Sequence, residues 1–307
     1  MLTFIDFLEK INAPHLKEEM ERWLSYLPHF RYSPNGDNLL EIKNLDFKYP
    51  WNEKNVLKNI NLTIKEGEML SVVGPNGSGK STLARLITGQ EKIQTGQIFW
   101  KGEEITDLDP EKMAQIIGYI PQNPLDYISK DYIYDEIAYR LKDLDLSAEE
   151  VEKRVENVIH VCSLQYIRDL PMTALSFGQL RRVVIASALA FGPEMIIVDE
   201  PSASQDFMRY TEIMTFLESI HLKGVTVLLV THDMHLMLEY TKRAIVMTDG
   251  EVIADTSPVY LLANPELVKQ SSLKETSLFT FAENINMQDP YAFTEKFIHY
   301  DRVARMF

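Results

Sequence analysis

The stretch that most narrows what this chain can fold into is Gly74-Pro75-Asn76-Gly77-Ser78-Gly79-Lys80-Ser81. Its glycines let consecutive backbone N–H groups wrap phosphate oxygens at the start of a helix. Met69 to Val73, just ahead of it, has the composition and length of a buried strand. A strand, a glycine loop and a helix in that order belong to an α/β fold with a parallel sheet. Lys80 is placed to reach the β- and γ-phosphates of a nucleotide, and Ser81 offers the kind of oxygen that Mg²⁺ accepts. Asn76, Gly77, Ser78, Gly79 and Thr82 complete the expected cradle.

The flanking sequence supplies the remaining layers. Leu40, Ile42, Leu45 and Phe47, and then Ile60, Leu62 and Ile64, alternate as half-buried strands do. Further strands are predicted at Gln97 to Lys101, Gly118 to Ile120, Met195 to Val198 and Val225 to Val230, with a short β pair around Gly250 and helices at about Lys80 to Thr88 and Gln179 to Phe191. Such alternation argues for a parallel α/β sheet. Between Tyr127 and Leu175 the pattern turns helical, and Ser147 with Glu150 forms a capping box ahead of Val151, Val155, Val158, Ile159 and Cys162. Residues 1 to 38 read as a helical appendage, 39 to 255 as the core, and 256 to 307, with Leu261, Leu262, Leu267, Val268 and Leu273 in helical register, as a C-terminal helical extension.

Charge and hydropathy remove several classes of function. A formal charge of -14 repels DNA and anionic lipid heads, so nucleic acid is not expected as a partner. The greasiest stretch, Val183 to Phe191, stops at Gly192-Pro193-Glu194, well short of the roughly 18 residues that span a bilayer. Cys162 is alone, which permits no intramolecular disulfide and suits a reducing compartment.

A second chemical signal is Met195-Ile196-Ile197-Val198-Asp199-Glu200, an apolar strand ending in two acids. Side chains alternate along a strand, so the two carboxylates face different targets. Asp199 suits Mg²⁺, and Glu200 suits a water that it can orient and deprotonate as general base.

The third signal is Leu175-Ser176-Phe177-Gly178-Gln179, followed by Arg181 and Arg182 at the start of a helix. With the phosphate loop and the acidic strand end, it resembles the ABC ATPase family, whose signature reads Leu-Ser-Gly-Gly-Gln. The resemblance covers about residues 39 to 255 and implies a P-loop NTPase core of ABC type. That core has a RecA-like parallel sheet, an antiparallel β subdomain and a helical subdomain at about 127 to 178. It also implies that Ser176, Gly178 and Gln179 present a helix tip to the γ-phosphate held by an opposite subunit. Tyr49 resembles the aromatic that stacks on adenine, Gln122 the glutamine-loop residue that meets Mg²⁺ and the attacking water, and His232 in Thr231-His232-Asp233 the switch histidine. Asp206 in Ser202-Ala203-Ser204-Gln205-Asp206 holds the place of a residue crossing the dimer interface. Phe177 and Gln205 depart from the family's glycine and leucine.

Asn123-Pro124, Asp135-Glu136-Ile137-Ala138-Tyr139, Thr231 to Met234, and the tail from Ser257 through Asn264-Pro265-Glu266-Leu267 look like the ATPases of energy-coupling factor (ECF) importers of vitamins and metals. That resemblance implies an ATP- and Mg²⁺-dependent ATPase subunit, peripheral on the cytoplasmic face of the cell membrane. Its implied partners are a second cassette, identical or different, and integral membrane transporter subunits. Rival readings are a cassette of translation or DNA repair, a small-molecule kinase, and a catalytically weak partner cassette. The kinase leaves residues 175 to 179 and His232 without purpose, and intact Glu200 and His232 argue against the weak partner, which Phe177 and Gln205 keep in view.

Overall fold

The computed structural model describes residues 36–142, 144–201, 207–271, 273 and 277–304. All but the last three residues of the expected N-terminal appendage, and the segment 202–206 with Gln205 and Asp206, lie outside the described residues.

In chain order, β1 (Asn38–Phe47) and β2 (Leu57–Lys65) precede β3 (Met69–Val73), the phosphate loop and α1 (Lys80–Ile87). Next come β4 (Thr95–Trp100), the short β5 (Glu103–Glu104), α2 (Pro110–Ile116) and β6 (Ile117–Ile120). A mainly helical stretch holds α3 (Ile133–Arg140), α4 (Ala148–Val161) and α5 (Phe177–Leu189). β7 (Met195–Asp199), α6 (Phe207–His221), β8 (Thr226–Thr231) and α7 (Met234–Tyr240) lead to the hairpin of β9 (Arg243–Thr248) and β10 (Glu251–Thr256). The described chain closes with α8 (Pro258–Leu262), α9 (Pro265–Gln270), α10 (Ser277–Asn284) and α11 (Pro290–Ala304).

The strands form two sheets: a four-stranded antiparallel one ordered β2-β1-β4-β5 and a six-stranded one ordered β10-β9-β3-β8-β7-β6. In the larger sheet β9, β3, β8, β7 and β6 run parallel, and β10 closes the edge antiparallel to β9. Every residue of β3, β7 and β8 is buried, because a parallel sheet carries packing elements on both faces. On one face α1 is clamped between the sheets, with Leu83 and Leu86 packed among Leu40, Ile60, Ile98, Leu70 and Leu228. On the other, Val184 and Ile185 of α5, Met214 of α6 and Leu236 of α7 cover Val198 and Leu229. The helical stretch has its own core of Ile133, Ile137, Val155, Ile159, Cys162 and Val183. Leu261 and Leu262 of α8 dock on Met237 and Val246.

Local rules explain most element ends. The capping box is present at Ser147, whose N–H donates to Glu150 Oε2 at 2.8 Å while its Oγ accepts from Glu150 N at 3.3 Å. α5 starts two residues earlier than its apolar pattern predicts, because Ser176 caps it. α2 shows no apolar periodicity, since Met113 is its only buried residue, and its one sequence signal is the helix start Asp109-Pro110-Glu111. Arg243 ties the sheets together. It donates to buried Glu68 at 3.1 and 2.9 Å, to Asp255 at 2.7 Å and to the Thr63 carbonyl of β2 at 2.9 Å.

The register of the parallel strands sets where chemistry can occur. Val73 pairs with Thr231, Asp199 with Val230 and Ile120 with Val198. The loops after β3, β6, β7 and β8 therefore leave the sheet at one edge, the carboxyl end where α/β sheets bind ligands.

Candidate functional site

The loop from Gly74 to Gly79 is shaped by backbone that only glycine tolerates. Gly74 has φ 148°, and a Cβ there would stand 2.0 Å from the Met247 carbonyl oxygen. Gly79 is the N-cap of α1 in a left-handed conformation, and no side chain caps that helix, so its first N–H groups stay open. Ser78 Oγ is buried without a hydrogen-bond partner. Lys80 is buried and folds back on the loop, its Nζ donating to the carbonyls of Gly74 at 2.9 Å and Pro75 at 3.0 Å. Burial lowers the Lys80 pKa, opposed by the charges of Glu200 and Asp199. Open amides, an orphaned hydroxyl and a desolvated cation are satisfied together by an anion with several oxygens, and the residues present therefore fit a nucleotide's phosphates. Asn76 and Gly77 sit exposed at the rim, and Thr82 is buried.

Asp199 ends β7 beside this loop. Its Oδ1 accepts from Ser81 Oγ at 3.3 Å and its Oδ2 from the Tyr119 hydroxyl at 3.1 Å. Burial raises its pKa, the bonds from Ser81 and Tyr119 working against that shift. A desolvated carboxylate next to a serine hydroxyl is the oxygen donor set of a hard cation, so these residues fit Mg²⁺.

The next residue lies just past the strand, and its side chain meets partners different from those of Asp199. Glu200 has φ 47° and donates its N–H to the Val230 carbonyl at 2.8 Å. Its Oε1 lies 2.8 Å from His232 Nδ1, and its Oε2 accepts from Thr231 Oγ1 at 3.4 Å. Gln122 leaves β6 at the same sheet edge with its side chain exposed, and its carbonyl accepts from Arg181 Nη2 at 2.5 Å.

Tyr49 sits where its hydroxyl is 3.4 Å from Thr82 Oγ1, and Arg85 hydrogen-bonds it as well. Its ring is stacked on Trp51 at 4.8 Å and 15°, and Phe47 meets it edge-on at 4.9 Å. Trp51 is 76% exposed and was missed in the sequence. The available signal was a second aromatic two residues beyond the first.

Ser176 stands exposed as the N-cap of α5, its N–H donating to Gln179 Oε1 at 2.8 Å and its Oγ accepting from Gln179 N at 3.3 Å. These bonds stay within the helix's own first turn and do not reach the phosphate loop. Gly178 has neither a positive φ nor any atom within 4 Å of where its Cβ would be. The chain's own packing leaves the space beside that glycine open. Phe177 lies by Arg181, whose guanidinium carbon is 5.5 Å from the ring centroid.

Residues 57–203 match the family model described as ABC transporter. A protein of Enterococcus faecalis named as an ABC transporter ATP-binding protein is 45% identical over 304 residues, covering 99% of this chain and 53% of the relative. A Clostridium perfringens protein of like name is 42% identical, covering 98% of this chain and 53% of the relative. The chain thus spans about half the length of the curated relatives it matches. The solved structure of CbiO1 from Clostridium perfringens, part of the ABC transporter complex CbiONQ, is 30% identical with TM-score 0.69, over 81% of this chain and 99% of that one. The ATP-binding cassette MJ0796, solved as a dimer in a post-hydrolysis state with ADP and Pi, is 31% identical with TM-score 0.63, over 72% of this chain and 99% of that one.

A stability test follows from the buried carboxylate. The folded chain holds the Asp199 proton more tightly than the unfolded chain does, so this residue's contribution to stability falls as pH rises from the ordinary 3.8 through the raised folded value. Asp199→Asn removes that penalty. Without nucleotide the variant is expected to melt above the wild type at neutral pH, the gap closing as pH drops to 3.8 and below. Thermal melts across pH measure this, and a variant that melts at or below the wild type at neutral pH contradicts it.

Proposed function

The chain belongs to the ABC transporter ATP-binding proteins, and on that premise we propose that it binds ATP with Mg²⁺ and hydrolyses it at a site completed by a second cassette, driving an ECF-type importer of a vitamin or metal ion. The observation that carries hydrolysis is the Glu200–His232 pair, 2.8 Å apart, at the strand end beside the phosphate loop. Lys80, Ser78 and the open amides of α1 hold the phosphates, with Asn76, Gly77, Gly79 and Thr82 shaping the cradle. Ser81 and Asp199 hold Mg²⁺, with Gln122 entering from the adjacent loop. The metal, when bound, neutralises phosphate charge.

Glu200 is oriented by Thr231 and His232 and takes the proton of the attacking water. With its Nδ1–H given to Glu200, the imidazole of His232 can also donate from Nε2 only when doubly protonated. Ser176, Gly178 and Gln179 face the nucleotide held by the partner cassette, and Asp206 belongs to the same interface. The dimeric state of MJ0796 with ADP and Pi supports this composite arrangement. Phe177 is partly buried with its ring beside Arg181, while Ser176 is exposed, an arrangement that is compatible with an active cassette. Glu200→Gln is expected to keep ATP binding while turnover falls about 100-fold or more, as loss of a general base entails. Unchanged turnover removes Glu200 from the role.

At the base end Tyr49 is half-buried, with Trp51 over one face and Phe47 against its ring, so the exposed face is that of Trp51. In this reading Tyr49 buttresses Trp51, and the adenine stacks on Trp51. One stacked base contributes about 1–3 kcal/mol, so Trp51→Ala is expected to weaken ATP binding roughly tenfold. Binding of tripolyphosphate, which has no base, stays as in the wild type. Equal loss of both ligands, or of neither, sinks the assignment.

Among the described residues no helix is long and apolar enough to cross a membrane, and in this reading integral membrane subunits supply the transport path. The naming of CbiO1 as part of a transporter complex supports such partners. For their docking the segment from Leu125 to Tyr139 is proposed. Leu125, Tyr132 and Tyr139 are exposed there, beside a cleft of about 690 Å³ lined by Tyr119, Tyr127, Tyr139 and Arg140. Buried Glu136 stiffens the segment by accepting from the N–H groups of Ser129 and Lys130, each at 2.8 Å. Leu125→Glu with Tyr132→Glu is expected to abolish coupled uptake while ATP binding persists, and intact uptake refutes the docking site.

A further inference from the structure

Arg181 lies one turn into α5 and is 0% exposed, the largest of the fully buried side chains. No carboxylate accepts from it among the described residues. Its hydrogen bonds go to three backbone carbonyls: from Nη2 to Gln122 at 2.5 Å and Glu200 at 3.4 Å, and from Nη1 to Pro201. Its Nε and Ser78 Oγ are the two buried side-chain polar atoms left without a partner among the described residues. Desolvation pulls its pKa down to about 10. A guanidinium removed from water with no counter-charge is a costly core residue, and an apolar side chain of similar volume is often neutral or stabilising at such a place. Neighbouring Arg182, by contrast, stays partly exposed and pairs with Glu212 at 3.6 Å.

What the burial achieves is a junction. The three carbonyls belong to the Gln122 loop and to the backbone at Glu200, and the helix that delivers the guanidinium carries Ser176 at its tip. Glu200 occupies a backbone region that a non-glycine residue keeps only when its surroundings hold it there, and its φ is 47°. The bonds holding it are its own N–H to Val230 and the fork of Arg181 on its carbonyl and the next.

We infer that Arg181 is a positioning residue of the ATPase: it locks α5 to the backbone at Glu200 and Gln122. The seating of the helix tip on the partner's nucleotide thereby sets the general base and the glutamine loop of its own site. The inference rests on the hydrolysis reading above and adds to it a mechanical link between the two composite sites.

The test compares Arg181→Met, Arg181→Lys and a control, Arg154→Met, in the full chain within its assembly. Arg154 also donates to backbone carbonyls, those of Ala190 at 3.3 Å and Phe191 at 3.4 Å, just past the far end of this helix. For Arg181→Met, ATP affinity and KM are expected to stay within about twofold while kcat falls about 100-fold, the scale for a catalytic group misplaced by an ångström. Arg181→Lys, which keeps the charge but not the planar fork, recovers part of that loss. Arg154→Met turns over as the wild type does. Backbone amide exchange should accelerate both at Ile120, Gln122 and Asn123 and at Asp199 and Glu200 in Arg181→Met alone.

Unchanged kcat in Arg181→Met overturns the inference, and so does a loss of ATP affinity and melting temperature that tracks the loss of kcat. If the wild type binds ATP without turning it over, the hydrolysis reading fails by itself. Exchange then decides: unaltered protection at either segment overturns the tether, and faster exchange at both upholds it.

Discussion

The site exists because parallel strands are held in one register. Val73, Ile120, Asp199 and Thr231 end four strands of one sheet at nearly the same height, and the phosphate loop, Gln122, Glu200 and His232 follow within two positions of them. Side chains alternate across a strand, so a slip of one residue in β7 would send Asp199 to the face of Glu200 and break both Ser81–Asp199 and His232–Glu200. The apolar runs of β3, β7 and β8, buried along their whole length, are what make such a slip unfavourable. Catalytic geometry is in this sense a by-product of how valine, leucine and isoleucine pack.

Much of this was legible in the residues because the signals are local. A glycine loop after a buried strand, two acids at a strand end, and serine three residues ahead of glutamate or glutamine each carry their geometry in their spacing. The antiparallel and parallel sheets and the helical stretch correspond to such signals, whereas the meeting of Glu200 with His232, 32 residues apart, was implied only by the family resemblance. Other features depend on residues far apart in sequence. Arg181 reads as one of two adjacent arginines on a polar helix start, and only the placement of Gln122 and Pro201 shows it to be interior. Phe177 reads as a departure from a glycine pair, yet the fold turns its ring towards that same arginine. Trp51 was overlooked because stacking on Tyr49 depends on a turn, and no periodicity announces it. α2 shows neither alternation nor an apolar stripe, and Asp109-Pro110-Glu111 marks its start without marking its extent.

Polar frustration in the described fold gathers where the chemistry is. Ser78 Oγ and Arg181 Nε lack partners, Asp199 and Lys80 are charges held out of water, and Glu200 sits in strained backbone. Local rules of folding are broken there together, as expected of a site that is completed by something other than the chain itself. Elsewhere buried charge is compensated, as for Glu68 with Arg243 and Glu136 with Arg140.

The closed loop of bonds between Ser176 and Gln179 has a further consequence for behaviour in a crowded solution. An isolated copy offers stray sulfate or free phosphate a serine hydroxyl and a backbone amide that are already engaged with each other and with glutamine. An arriving anion must displace Gln179 before it gains anything, and a small ion held from one side has little with which to do so. A polyanion delivered on a second protein surface, fixed in place by many other contacts, can. On the proposed composite site, the Ser176–Gln179 bonds therefore bias the helix end against loose anions and towards a nucleotide presented by a neighbouring cassette.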